Sequence, residues 1–175
     1  MKPALLVIDI QHGIWDDPEF PRDSEKSEIQ LASIGDILKY AIDRNLLIII
    51  LECKPKDKDY GDSLQIIKDL AQTPNIFTKS CGDAFEEINF DNYLREQSID
   101  SLVLMGINAS YCVKKTAESA IKKGYCVVTS PDLISDDLTV EQEHRLQTQD
   151  FYLNSTIFLP TANELKKYLE DNIIN

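Results

Sequence analysis

The sequence predicts a single α/β domain over residues 1–175, built as a parallel sheet covered by helices. Three observations lead there. Apolar runs alternate with segments of helical period along the whole chain, the pattern of successive βαβ units. These runs are continuous rather than alternating, as in strands buried on both faces. The 175 residues, 43% hydrophobic and 27% charged, suffice for one sizeable core and call for no second domain.

Residues 4–8 (ALLVI) give the first strand. Residues 11–27 (QHGIWDDPEFPRDSEKS) have no period, and a loop this long in a compact domain is expected to be a lid or a binding loop. Residues 28–43 place Ile29, Leu31, Ala32, Ile34, Ile37, Leu38 and Ala41 at helical spacing. Strand two (46–51, LLIIIL), a short helix over 63–71, strand three (75–78, NIFT), a helix over 89–97 and strand four (101–105, SLVLM) follow. After a turn at Gly106, a helix carries Val113, Ala117, Ala120 and Ile121 on one face and stops at Gly124. Strand five (125–129, YCVVT) comes next, and His144 falls on a further helix. Strand six (155–159, STIFL) leads into Thr161-Ala-Asn-Glu164, a capping box ahead of a last helix with Leu165, Tyr168 and Leu169.

A formal net charge of −12 argues against a nucleic-acid partner, because phosphate binding needs clustered Lys and Arg. The first apolar run is too short for a signal segment, and no stretch approaches the roughly 18 apolar residues of a membrane span. A cytoplasmic protein with no membrane partner is expected. Cys53, Cys81, Cys112 and Cys126 lack CxxC spacing and read as thiols in a reducing compartment.

In an open parallel sheet, ligands bind outside the carboxyl ends of the strands. Strand one ends in Asp9; strand two is followed by Glu52 and Cys53, strand three by Lys79 and Cys81, and strand four by the turn to Cys112. An acid, an ammonium and a thiol thus converge from separate strands. Cys112 falls in the first turn of its helix, where unpaired N–H groups and the positive dipole end lower a thiol's pKa. A neighbouring Lys would lower it further, and a neighbouring Asp would take its proton. On the residues alone, two readings stay open for Cys112, a small buried apolar residue and a nucleophile. Cys126 reads as packed core, and Cys53 and Cys81 as bystanders.

Three segments then resemble the isochorismatase-like cysteine hydrolases, which include nicotinamidases, N-carbamoyl amidohydrolases and isochorismatases. ALLVIDIQ (4–11) is similar to the opening strand with its catalytic Asp and following Gln, and TKSCGDAF (78–85) to the Lys segment, with Lys79, Asp83, Ala84 and Phe85 in place. GINASYCVKKTAESAIKKGYCVVTSPDLISD (106–136) is similar to the nucleophile segment, down to an acid at Asp132. The resemblance implies an Asp9–Lys79–Cys112 triad on a three-layer Rossmann-like fold with strand order 3-2-1-4-5-6. It also implies a non-proline cis peptide at Ile107–Asn108, which would turn the amides of Asn108 and Cys112 toward an oxyanion. Gln11 and Ala109 take family positions beside the pocket; Trp15, Phe20, Phe85 and Tyr111 fit its walls, or equally core. Members are commonly oligomeric, so a homodimer or homotetramer is expected.

The chain departs from the family in places. Nicotinamidases carry a His-rich metal site after strand two, but LECKPKDKDYGDSLQ (51–65) has no histidine, and His12 and His144 stand alone. No metal or other cofactor is expected, and nicotinamide is disfavoured. His12-Gly13 replaces a frequent Asn-Asp, and Ala109 a frequent Thr. The implied activity is hydrolysis of a small amide or carbamoyl-type substrate through a thioester acyl-enzyme. The alternatives are an isochorismatase-type vinyl ether hydrolase and a non-catalytic binding or regulatory member. A phosphoacceptor receiver domain fails, since Gln11 and Thr78-Lys79 stand where its acids are required.

Overall fold

A computed structural model describes residues 1–80 and 82–173, so Cys81, one of the two bystander thiols, lies outside the described residues. The strands are β1 (Pro3–Ile8), β2 (Leu47–Cys53), β3 (Asn75–Lys79), β4 (Ser101–Ile107), β5 (Cys126–Thr129), β6 (Ile134–Ser135) and β7 (Ile157–Phe158). They form one sheet of order β3-β2-β1-β4-β5-β7, and each pairing is parallel. The expected sixth strand is β7, in its expected place. β6 has no counterpart among the expected strands; its two residues pair with Gly106 and Ile107 at the end of β4. A tight turn, Leu133 N–H donating to the Ser130 carbonyl at 3.1 Å, returns the chain from β5 to that position.

The helices are α1 (His12–Trp15), α2 (Ser24–Asp43), α3 (Gln65–Ala71), α4 (Ile88–Glu96), α5 (Lys114–Lys122), α6 (Gln142–Ser155) and α7 (Ala162–Asn172). α1 interrupts the loop expected over residues 11–27. α2 begins earlier than its apolar stripe because the Asp23 side chain accepts from the Lys26 amide at 3.0 Å, an N-cap just beyond Pro18 and Pro21. Ile34, Ile37, Leu38 and Ala41 of α2 are buried, each large side chain contributing about 1.5–3 kcal/mol. β1 and β4 are buried along their whole length because helices cover both faces, which is why their sequences run apolar without alternation.

The central strands approach closely at one point. Gly106 pairs with Ile8 at φ +149°, and a Cβ there would lie 2.2 Å from the Ile8 carbonyl oxygen, so only glycine fits. This fixes where β4 ends and the turn to Cys112 begins. No helix of the described residues is long and apolar enough to cross a membrane.

Candidate active site

Asp9 leaves β1 in the left-handed region (φ 59°), a conformation Asp tolerates better than most residues. Its amide donates to the Leu51 carbonyl at 3.0 Å and its carbonyl accepts from Gln11 at 2.8 Å, which holds the carboxyl at the sheet edge. Lys79 is the last residue of β3, two strands away, and its stem crosses the end of β2, a span of about 9–10 Å. Its ammonium meets Asp9 Oδ2 at 2.8 Å, and both side chains are 0% exposed.

Cys112 reaches the same carboxylate from β4. Asn108 takes φ 61°, ψ 54°, and residues Ala109–Val113 form a π-type turn, with the amides of Tyr111 and Val113 both donating to the Asn108 carbonyl, at 2.9 and 3.2 Å. The turn buries Cys112 against Asp9 and Lys79. Asp9 Oδ1 has no partner within hydrogen-bond distance. The expected acid, ammonium and thiol are thus together.

Burial dominates the electrostatics. It raises Asp9 above the ordinary carboxylate range, and Lys79 only partly offsets this. Burial pulls Lys79 down, but Asp9 and Cys112 outweigh it and leave the ammonium raised. Burial pushes the Cys112 thiol well up, the Asp9 charge adds to this, and Lys79 offsets part of it. This corrects the expectation of a thiol acidified by a helix N-terminus. Cys112 lies in the π-type turn ahead of α5, and removal from water exceeds the help from Lys79. The site thus sets a carboxyl, an ammonium and a thiol together out of water, with Lys79 favouring the charged form of Asp9.

The expected cis bond is also corrected. Ile107–Asn108 is trans, as are all described peptide bonds. The chain reverses instead through Gly106 at φ +149° and left-handed Asn108, two residues suited to such angles.

The residues expected to bind substrate divide. Gln11 is buried and fully engaged: its Oε1 accepts from the Cys53 amide at 2.6 Å, and its Nε2 donates to the carbonyls of Cys53 and Gly61 at 3.2 and 2.6 Å. It is a strut between β2 and the following loop, with both amide N–H donors committed to backbone carbonyls. Phe85 packs against Phe90 and Tyr125, at 5.2 and 5.7 Å between ring centroids, so it belongs to the core. Trp15 lies under the Arg22 guanidinium at the start of α2, and Phe20 is exposed beneath Lys58. Ala109 lines a cavity of about 570 Å³ with Gln30, Asp136 and Tyr152. Tyr111, half exposed under Lys115, lines one of about 340 Å³ with Asn108, Asp136 and His144. Asp132 caps the start of α7, accepting from the Ala162 amide at 2.8 Å.

Cys53, paired in register with Lys79, is near enough for its charge to raise both Lys79 and Cys112. His12 pairs with Asp16 on the surface, and His144 lies 3.4 Å from the Ser110 carbonyl oxygen. Among the described residues, no three His, Cys, Asp or Glu side chains are grouped to hold a metal ion. Sequence reasoning passed over Ser63, which holds Glu52, and Ser110, Asp136, Thr148 and Tyr152 around the Cys112 turn. Polar residues in a segment with no apolar period would have been the only signal.

Residues 3–157 match the family described as Isochorismatase domain. The uncharacterized isochorismatase family protein YrdC of Bacillus subtilis (strain 168) is 25% identical over 163 residues, 89% of this chain and 83% of its own. An isochorismatase-like hydrolase from Alkaliphilus metalliredigens has a similar structure, with a TM-score of 0.76 at 22% identity over 96% of this chain and 99% of that one. N-carbamoylsarcosine amidase from Thermoplasma acidophilum aligns with a TM-score of 0.75 at 18% identity over 93% of this chain and 98% of its own. At these identities the solved structures show a common fold, while the family match covers most of the chain. The chain belongs to the isochorismatase-like hydrolase family, whose members include amidases.

Proposed function

We propose that this chain hydrolyses a small amide or N-carbamoyl substrate, without a metal, through Asp9, Lys79 and Cys112. The observation that carries the reading is the buried Asp9–Lys79 ion pair with the Cys112 thiol against the Asp9 carboxyl. A carboxylate raised by burial is a stronger base than a solvated one, and the adjacent Lys79 ammonium favours its charged form.

Asp9 takes the thiol proton as sulfur forms a bond to the substrate carbonyl carbon. The carbonyl electron pair moves to oxygen, where N–H groups of the turn carrying Cys112 would stabilise the charge. The oxyanion collapses, the C–N bond breaks, and the nitrogen leaves with the proton from Asp9. Asp9 then deprotonates water, which attacks the thioester, and the C–S bond breaks as sulfur recovers that proton. Lys79 stays charged throughout and balances Asp9 or the thiolate in turn. The amidase among the structural relatives supports the substrate class.

The test is a panel of small carboxamides and N-carbamoyl amines offered to the wild-type protein and to Cys112→Ala. Release of ammonia or amine by the wild type alone is expected. Equal release by both proteins would overturn the reading.

A further inference from the structure

The turn carrying Cys112 is held from outside by side chains that the proposed reaction does not consume. The peptide unit joining Ala109 to Ser110 is gripped at both ends. The Tyr152 hydroxyl donates to the Ala109 carbonyl at 2.8 Å, and the Ser110 amide donates to Asp136 Oδ1 at 2.8 Å. The Ser110 hydroxyl donates to Oδ2 of the same carboxylate and accepts from the Thr148 hydroxyl at 3.1 Å. A planar peptide fixed at both its C=O and its N–H cannot rotate about its flanking bonds.

α6 also packs Phe151 against the core and stacks the Tyr152 ring on Phe158 at 5.7 Å. Its two buried side chains are Thr148 and Tyr152, and both reach the Cys112 turn through their hydroxyls. Leu146 and Leu153, which a packing helix would turn inward, are 58% exposed. Burial raises Tyr152 well above the ordinary phenol range, so its hydroxyl remains a donor at any working pH. The helix contacts the nucleophile turn and β7.

We propose that Asp136 and Tyr152 are positioning residues for Cys112, locking the Ala109–Ser110 peptide so that the sulfur and the turn's amides keep one geometry. This rests on the thiol chemistry proposed above. A misplacement of about 1 Å is enough to cost an enzyme about 10²-fold in rate, so a locked turn has a catalytic value beyond its hydrogen bonds.

The test uses acetaldehyde, which adds to a thiol as a C–S bond forms and the thiol proton passes to the former carbonyl oxygen. The adduct draws on the same amides as the tetrahedral intermediate. Its affinity is read from protection of the Cys112 peptide against iodoacetamide, followed by mass spectrometry. In Asp136→Asn and Tyr152→Phe we expect aldehyde affinity to fall by about 10- to 100-fold, while alkylation without aldehyde does not slow. A purely structural role would lower the melting temperature and leave the aldehyde affinity unchanged. That result in either folded variant would overturn the proposal, and having two variants covers a failure of Asp136→Asn to fold. A wild-type Cys112 that is alkylated but never protected would overturn the proposed thiol chemistry and the positioning role with it.

Discussion

Two buried carboxylates sit at neighbouring strand ends, each with a lysine, and their surroundings give them opposite properties. Glu52 of β2 has both oxygens engaged. Oε1 accepts from the Ser63 amide and hydroxyl, both at 2.9 Å, and Oε2 meets Lys54 at 3.0 Å. Burial pushes Glu52 up, but Ser63 and Lys54 bring it below its ordinary value. Asp9 has one oxygen on Lys79 and the other unpartnered, and burial leaves it raised. A fully satisfied carboxylate pins a loop; one left with an open oxygen beside a thiol can move a proton. Deeper burial and fewer donors at Asp9 separate the two.

The largest effect to break this contrast is expected at Asp9. Asp9→Asn should lower kcat by about 10²–10⁴-fold, as loss of a general base does. It should also cost roughly 3–5 kcal/mol of stability in urea denaturation, because Lys79 is left charged and buried without its partner. The double change Asp9→Leu with Lys79→Met should restore most of that stability and none of the activity.

Glu52→Gln should do the reverse. It should cost about 1–3 kcal/mol, since Gln cannot accept from both Ser63 donors and Lys54 as a carboxylate does, and leave kcat at the wild-type value.

The pH dependence separates the pair more finely. With its folded pKa depressed, Glu52 contributes stability above the ordinary Glu value of about 4.3, and that contribution is lost as pH falls through the folded pKa. Melting temperatures of wild type and Glu52→Gln should therefore converge in acid. With its folded pKa raised, Asp9 has the opposite sign, so stability falls as pH rises from its unfolded toward its folded pKa. The acid limb of kcat/KM should accordingly lie above the ordinary Asp value of about 3.9, and a limb at or below it would contradict Asp9 as the base.

The strand succession was legible because parallel strands buried on both faces must be continuously apolar, and Asp9, Lys79 and Cys112 were legible because reactive types follow three of those strands. What each polar atom touches was not. Gln11 looked like a ligand group, yet both ends of its amide are held by backbone 42 and 50 residues away. Left-handed Asn108 and the trans bond before it depend on the close approach of Gly106 to Ile8, which has no local sequence signal. The thiol's raised pKa followed from burial, which outweighed the helix start that the sequence did reveal. Asp136 meets Ser110 across 26 residues of chain, beyond any periodicity.

If Cys112 carries the acyl group, rapid acid quench during turnover of an N-carbamoyl amine or small carboxamide should trap it there. Mass spectrometry should find the acyl or carbamoyl mass on the Cys112 peptide, and not on those of Cys53 or Cys126. Steady turnover with an unmodified Cys112, undiminished in Cys112→Ala, would contradict that role.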